Sequence, residues 1–413
     1  MSQNRISTGC CIVGGGPAGV MLGLLLARGG VDAIVLEKHG DFLRDFRGDT
    51  IHPSTLEVLH ELDLLEGFLA LPHQEVSQLR AFIGNRTVTV ADFSHLPTRC
   101  RFVAFIPQWD FLDFLAGHAS ASPEFTLRTE TEVTALLDEG GTIVGVQANG
   151  PEGDLEVLAD LVVGCDGRHS VVRHRAKLPG KELGAPIDVL WFRISRWPDD
   201  PAQTMGRFDA GRITVLINRG EHWQCGYVVP KGGAEKVKQR GLEAFRADIA
   251  QVVPFFAGRT EELRSWEDIP LLSVRVDRLT RWYRPGLLCI GDAAHAMSPV
   301  GGVGINLAIQ DAVAAANLLA EPIRHGRPEV ADLRRVQTRR ELPTQVTQSL
   351  QVLIQNRVLH PALQGRGNPR TPVGLRLLDL LPALRRIPGR MVGMGIRPEH
   401  VAPTLRRVAP AAG

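Results

Sequence analysis

The chain has no CxxC motif. Its six cysteines, Cys10, Cys11, Cys100, Cys165, Cys225 and Cys289, mostly fall in apolar, strand-like runs. That pattern excludes a disulfide framework and a zinc site, and it predicts small buried hydrophobes in a reducing compartment. An excess of one charge is missing as well. The 47 Lys and Arg face 45 Asp and Glu, a formal net charge of +2, without the clustered cations of a nucleic-acid footprint. No nucleic-acid partner is expected. The polar start MSQNRIST, and the glycines and proline that interrupt the next apolar run, argue against a secretory leader or membrane start, so the chain reads as cytoplasmic. What is present is bulk: 413 residues, 44% hydrophobic and 22% charged, enough for two cores and two or three domains.

The apolar run at residues 8–13 leads into GGGPAGVMLGLLLARGG, and VDAIVLEK then supplies a second short strand ending at Glu37. Strand, glycine turn, helix, strand and acid in this order form the dinucleotide fingerprint. Gly14 makes the tight turn, Gly16 lets a pyrophosphate approach the backbone, and Gly19 allows the helix to pack closely. Glu37 accepts from ribose hydroxyls, and Gly15, Pro17, Ala18 and Lys38 belong to the same cradle. An acid rather than an arginine at this point favours FAD or NAD over NADP. In the polar loop that follows, an arginine can fold over a pyrophosphate, with Arg47 a stronger candidate than Arg44. A helix should begin at Pro53 or Ser54, and another after Pro107, where the Gln108 amide can reach a cofactor. Short strands with GG and PEG turns then run to LVVGCDG.

Far downstream, CIGDAAHAMSPVGGVGINLA (residues 289–308) repeats the theme as buried strand, lone acid, glycine loop and helix start. GGGPAG at 14–19, GCDGRHSVVR at 164–173 and GDAAHAMSPVGGVGINLAIQD at 291–311, in this order, resemble the FAD-dependent aromatic-hydroxylase family. These are the single-component flavoprotein monooxygenases typified by para-hydroxybenzoate hydroxylase. The resemblance spans residues 8–311, and past about Pro322 no motif supports it. It implies an α/β fold in which a Rossmann-like FAD-binding domain (1–75, 99–178 and 281–325) carries an inserted antiparallel or mixed sheet domain for substrate (76–98 and 179–280). A C-terminal helical region (326–413) completes it.

The resemblance also implies roles. Asp292 would hold the ribityl hydroxyls, and the loop of Pro299, Gly301, Gly302, Val303, Gly304, Ile305 and Asn306 would wrap the isoalloxazine ring. Asp166 and Gly167, with Arg173, would brace the pyrophosphate region and touch a passing nicotinamide. Arg47 and Gln108 would contact the flavin, and Val133 would offer a backbone amide to adenine. Physical reasoning points the same way for the second loop: reduced flavin is anionic, and the amides that open a helix at 303–306 favour an anion by about 0.3–2 kcal/mol per contact. The implied activity uses non-covalent FAD, NAD(P)H as a transient co-substrate and molecular oxygen. An aromatic or other electron-rich small molecule is hydroxylated through a flavin C4a-hydroperoxide, and no catalytic side chain is assigned.

Tyrosine is scarce, with only Tyr227 and Tyr283 present. The tyrosine pair of the para-hydroxybenzoate enzyme therefore has no match, and that exact substrate is not expected. Trp191, Phe192, Trp223 and Tyr227, on alternating strands, are candidates to line the pocket. His222 is either a phenol base or an exposed turn residue, and His295 reads as a packed, hydrogen-bonded histidine. Only one dinucleotide fingerprint occurs, so NAD(P)H should visit a surface groove rather than its own domain. The C-terminal helices are expected to set arginines against aliphatics. The basic tail, with Arg376, Arg385, Arg386 and Arg390 against Asp379, reads as a packed or dimer-forming helix rather than a membrane contact. Alternatives are a flavin reductase or dehydrogenase of the same fold that inserts no oxygen, and a non-catalytic flavin sensor. A halogenase is disfavoured because SWEDIP at 265–270 lacks the second tryptophan of WxWxIP.

Overall fold

The computed structural model describes residues 4–43, 49–84, 86–209, 211–365, 378 and 380–406. Its first sheet has a parallel centre. The strand Asn4–Val13 lies between Gly153–Gly164 and Ala33–Leu36, with Phe125–Arg128 outside the latter and Leu287–Cys289 beside the end of Gly153–Gly164. The central strands Asn4–Val13, Ala33–Leu36 and Gly153–Gly164 end in buried runs, as strands inside a covered parallel sheet do. Pro17–Arg28 packs along Gly304–Arg324, and Gln108–Ala119 packs on Pro17–Arg28. The segment Val300–Arg324 is apolar and long enough to cross a membrane, yet 72% of its apolar window is buried inside the molecule, where it serves as a core helix. Glu132–Glu139 and Thr142–Gly150 form an antiparallel meander on Gly153–Gly164.

The second sheet has seven strands, in the order Leu271–Leu272, Ile187–Ser195, His222–Pro230, Arg212–Asn218, Met205–Asp209, Gln78–Ile83 and Arg86–Asp92. All neighbours are antiparallel except Met205–Asp209 with Gln78–Ile83, which makes the sheet mixed. Cross-strand partners share a face, and Trp191 pairs with Gly226 while Arg193 pairs with Gln224. The intervening residues Leu190, Phe192, Ile194, Leu216, Trp223, Cys225 and Tyr227 point the other way, into a core with Phe245, Ile249 and Phe256. Of the four aromatics expected to line a pocket, Phe192, Trp223 and Tyr227 are therefore core residues. Trp191 alone lies on the opposite face, between one small core that includes Ile217 and Met394 and another that includes Ile213 and Leu359.

The helix Val330–Ile354 follows the expected arrangement in its first turns, where Leu333 and Val336 are buried and Arg334, Arg335 and Arg339 exposed, and departs from it further along. Its buried face includes Gln337, Arg340, Thr344, Gln348 and Gln351, while Leu342 and Leu353 are exposed. The buried amides bond to backbone. Gln337 donates to the Thr280 carbonyl and accepts from the Trp282 N–H, and Gln348 donates to the carbonyls of Asp277 and Ala296. A π-turn, Gln355–Leu359, follows. The short helix Arg386–Gly393 then crosses the end of the second sheet. A Cβ on Gly389 would lie 2.0 Å from the Asp92 carbonyl oxygen, and one on Gly393 would lie 2.7 Å from the Leu96 side chain. Arg385, Arg386 and Arg390 belong to this packed segment, whereas Arg376 and Asp379 lie outside the described residues.

Candidate functional site

The register of the parallel sheet places four loops at one edge. Val13 pairs with both Leu36 and Gly164, and Gly164 pairs with Cys289. Gly14, Glu37, Asp166 and Asp292 consequently follow adjacent strands at their carboxyl ends, where open α/β sheets bind ligands. Gly14 takes φ +104°, and a Cβ there would lie 2.6 Å from the Cys165 carbonyl oxygen. A Cβ on Gly19 would come within 2.0 Å of the Gly14 carbonyl oxygen, so only glycine lets the helix start this close to the strand. Gly16 is open, with no atom within 4 Å of its Cβ position. The downstream loop touches the same helix start, because a Cβ on Gly291 would meet Ala18 at 3.2 Å. Two glycine loops nearly 280 residues apart are thus neighbours in space.

Glu37 is buried and accepts from the Gly15 N–H at 2.8 Å and the His39 N–H at 3.1 Å, which fixes the turn. Lys38 is exposed at the rim beside it. Val133 is buried on the strand that starts where the Thr131 N–H bonds to the Glu37 carbonyl. Asp166 accepts from the Val172 N–H through Oδ2, while its buried Oδ1 has no hydrogen-bond partner among the described residues. Burial raises the Asp166 pKa, and a ligand hydroxyl would satisfy the orphaned oxygen. Gly167, at φ +79°, leaves the adjoining space open. Arg173 does not brace this region. Its guanidinium forks onto both oxygens of Asp277, at 3.0 and 3.1 Å.

In the downstream loop Asp292 is half-buried, Pro299 and Gly301 are exposed, and Gly302 and Val303 are half-buried. Gly301 and Gly302 take φ +81° and +62°. The amides of Gly304, Ile305 and Asn306 open a helix of 21 residues and have no carbonyl one turn earlier to bond. Gly304 is open above them, whereas the Ile305 side chain is in the core. The Asn306 side chain clamps the loop from within: its oxygen accepts from the His52 N–H and the Thr55 hydroxyl, and its amide donates to the Thr50 carbonyl. The Thr50 hydroxyl donates to the Gly302 carbonyl at 2.8 Å. An open pyrophosphate turn, an orphaned buried carboxylate oxygen and a bare glycine-lined helix start on one sheet edge fit FAD. Arg44 and Arg47 lie outside the described residues.

Between this edge and the second sheet lies a polar junction. Asp49 and Arg219 form a buried ion pair, the Gln108 N–H bonds to Asp49, and Arg219 Nε donates to Gln224 at 2.9 Å. Burial raises the Asp49 pKa, with Arg219 opposing, and burial lowers that of Arg219. His222 is half-buried rather than an exposed turn residue. Burial, then Arg193 and Arg219, lower its pKa, so its imidazole is neutral at pH 7. Beyond the loop at 299–303 lies a cavity of about 60 Å³, walled by Val300 and Gly301, by Leu350 and Ile354 of the long helix, and by Met391 and Ile396. Gln351 holds the loop side, accepting from the Ser298 N–H and donating to the carbonyls of Ser298 and Val300. His52 Nδ1 donates to the Val392 carbonyl at 2.7 Å.

His295 is 1% exposed and bonds to Asp311 at 2.5 Å, against Trp282. Asp311 also accepts from the Gly291 N–H and from Arg340, which reaches Glu399. Burial opposes the charge on Asp311, but His295 and Arg340 outweigh it and keep its pKa low. This network braces the Gly291 turn. Sequence reasoning did not single out Asp49, Thr50, His52, Arg219, Gln224, Gln351 or the segment around Met391. Only strand alternation, which puts Gln224 on the face of Trp191, carried a local signal for any of them.

The sequence profile of the family described as FAD binding domain matches residues 7–349. Among curated proteins, the chain is 37% identical over 362 residues to 6-methylpretetramide 4-monooxygenase of Streptomyces rimosus, covering 85% of this chain and 86% of that protein. It is 29% identical to 12-dehydrotetracycline 5-monooxygenase/anhydrotetracycline 6-monooxygenase of Streptomyces rimosus subsp. rimosus, over 73% of this chain but only 60% of that longer protein. Among solved structures, anhydrotetracycline hydroxylase from Streptomyces rimosus superposes with a TM-score of 0.74 at 24% identity, over 95% of this chain and 77% of its own. A p-nitrophenol 4-monooxygenase from Pseudomonas putida gives 0.73 at 18% identity, over 94% and 95%.

Proposed function

The chain belongs to the FAD-dependent aromatic-hydroxylase family, and from that premise we propose that it hydroxylates a multi-ring phenolic substrate, with NAD(P)H as transient electron donor. It is an FAD-dependent monooxygenase. The observation that carries the substrate reading is the Trp191 face of the second sheet, where Trp191 packs on the same small core as Val300 and Ile354 and where Arg219, Gln224 and half-buried His222 supply polar groups. A flat aromatic body with a hydroxylated edge matches both. The relatives named for tetracycline-type compounds support the same class.

Bound FAD would supply the redox and oxygen-activating chemistry. The protein's part is to hold and orient. Gly14, Gly16 and Gly19 admit the pyrophosphate, Asp166 takes a ligand hydroxyl on its orphaned oxygen, and the first amides of the helix Gly304–Arg324 stabilise negative charge on the ring. Asp292 and Gln108, with Arg47, would complete the ribityl and ring contacts, Val133 those to adenine. The apolar wall excludes water from the reacting face, which protects a reactive oxygen species from wasteful collapse. Neutral His222 is the group at the polar end able to take a phenolic proton. A cytoplasmic enzyme is supported by six free, buried cysteines.

The test is to mix the FAD-loaded protein with NADH or NADPH and a panel of mono- to tetracyclic phenols under labelled oxygen. The expected result is faster nucleotide oxidation with a multi-ring phenol and one labelled oxygen atom in its product. A flavin that neither nucleotide reduces with any compound overturns the reading. Substrate-dependent reduction giving an unlabelled product would establish the reductase alternative.

A further inference from the structure

We infer that the C-terminal segment around Met391 and Ile396 is the specificity-determining wall of the substrate compartment, setting how many fused rings it admits. The inference rests on the monooxygenase reading above. Met391, Val392 and Ile396 line the same cavity as Val300 and Gly301 of the flavin-facing loop. At about 60 Å³ the cavity is well below the roughly 150 Å³ that holds a benzene ring, so any aromatic ligand requires one wall to yield.

The walls differ in how they are fastened. The loop is tied by Gln351, Thr50 and Asn306. The long helix is tied to backbone through Gln337 and Gln348. The C-terminal segment is anchored behind the cavity, where Arg340 bonds to the Arg397 carbonyl and to Glu399. In front, among the described residues, it rests on the close approaches of Gly389 and Gly393, on Val392 and Met394 packed in a small core with Phe93 and Leu96, and on the bond from His52 to the Val392 carbonyl. Met391 and Ile396, between these supports, are half-buried, and Met is the side chain best able to change shape around a ligand.

The experiment uses the FAD-loaded full chain and measures ligand Kd from the change in the flavin absorption band for phenol, 1-naphthol and a tetracyclic phenol. In M391W and I396W, filling the wall should raise the tetracyclic Kd by about 10-fold or more and by a larger factor than the phenol Kd, with FAD affinity within about twofold of wild type. In M391A and I396A, the ratio of tetracyclic to monocyclic Kd should fall by about threefold or more, which keeps the test valid if a tryptophan variant does not fold. Wild-type protein that binds the tetracyclic phenol with variants that all match it would overturn the wall assignment alone. Wild-type protein that binds none of the rings and oxidises NAD(P)H no faster with any of them would overturn the monooxygenase reading too.

Discussion

His52 donates through Nδ1 to the Val392 carbonyl at 2.7 Å, joining two residues 340 positions apart in the chain. The bond ties the segment that holds the flavin-facing loop to the helix that closes the cavity. Complete burial lowers the His52 pKa to about 4, only partly offset by the Val392 carbonyl, so the ring stays neutral in the folded protein. The unfolded chain protonates near its ordinary value, and between about pH 6.5 and 4 it binds a proton that the native state refuses. Stability therefore falls as pH falls through that window, by roughly 3 kcal/mol in all. H52N, whose amide mimics the Nδ1 donor, should lose about 2–3 kcal/mol less than wild type between pH 7 and 4.5. Urea titrations at the two pH values measure the difference.

Strand alternation separates Trp191 from its aromatic neighbours. W191A should raise the Kd of a multi-ring phenol by about 10-fold, since an aromatic platform contributes on the order of 1 kcal/mol beyond its area. Y227F should leave that Kd unchanged, because Tyr227 packs against Phe245 on the far face of the sheet. Equal effects from both substitutions would contradict the assignment of faces.

Gly19 has no room for a methyl group, given the 2.0 Å approach to the Gly14 carbonyl oxygen. G19A should push the helix off the strand, at a cost of about 1–3 kcal/mol, and leave purified protein largely without FAD. The ratio of flavin absorbance to protein absorbance reads this directly. G16A, at an open position, should retain its fold by circular dichroism while weakening FAD, since its methyl would project only into the cofactor's space.

Gln351 makes three bonds to the backbone of Ser298 and Val300. Q351L removes them at nearly constant volume and leaves buried backbone groups unpaired, a loss of about 1–3 kcal/mol for each. The expected outcome is faster hydrogen exchange at residues 298–303 and a shifted flavin absorption band. Q351E should restore part of the acceptor function toward the Ser298 N–H but none of the donation.

Arg340 is 1% exposed and neutralises Asp311, itself fully buried. R340M should therefore destabilise the protein by about 3–5 kcal/mol, the cost of stranding a buried charge. R340K, which keeps a cation between Asp311 and Glu399, should recover part of the loss. Calorimetry of the two variants tests the network.

The backbone geometry of the glycine turn was legible in the sequence because each part of it follows from a local rule. A glycine at the turn, one at the helix start and an acid at the strand end work through backbone geometry that neighbouring residues determine. The mixed second sheet was equally legible from alternation in DVLWFRIS and HWQCGYVVP. Which face of that sheet turns into its own core was not, since both faces carry aromatics and only the packing of Phe245 and Phe256 distinguishes them. Arg173 misled because its partner, Asp277, is remote in the chain. In the long C-terminal helix the expectation rested on arginines and aliphatics alone, and it is the bare carbonyls of residues 277–300 that make its glutamines interior residues.

Glutamine side chains that grip main-chain atoms are indifferent to which side chains the gripped residues carry. Substitutions along residues 277–300 that keep the backbone path should thus leave the grip intact. Relatives could diversify the inner surface of their reaction chamber there while the yellow ring stays in the same place.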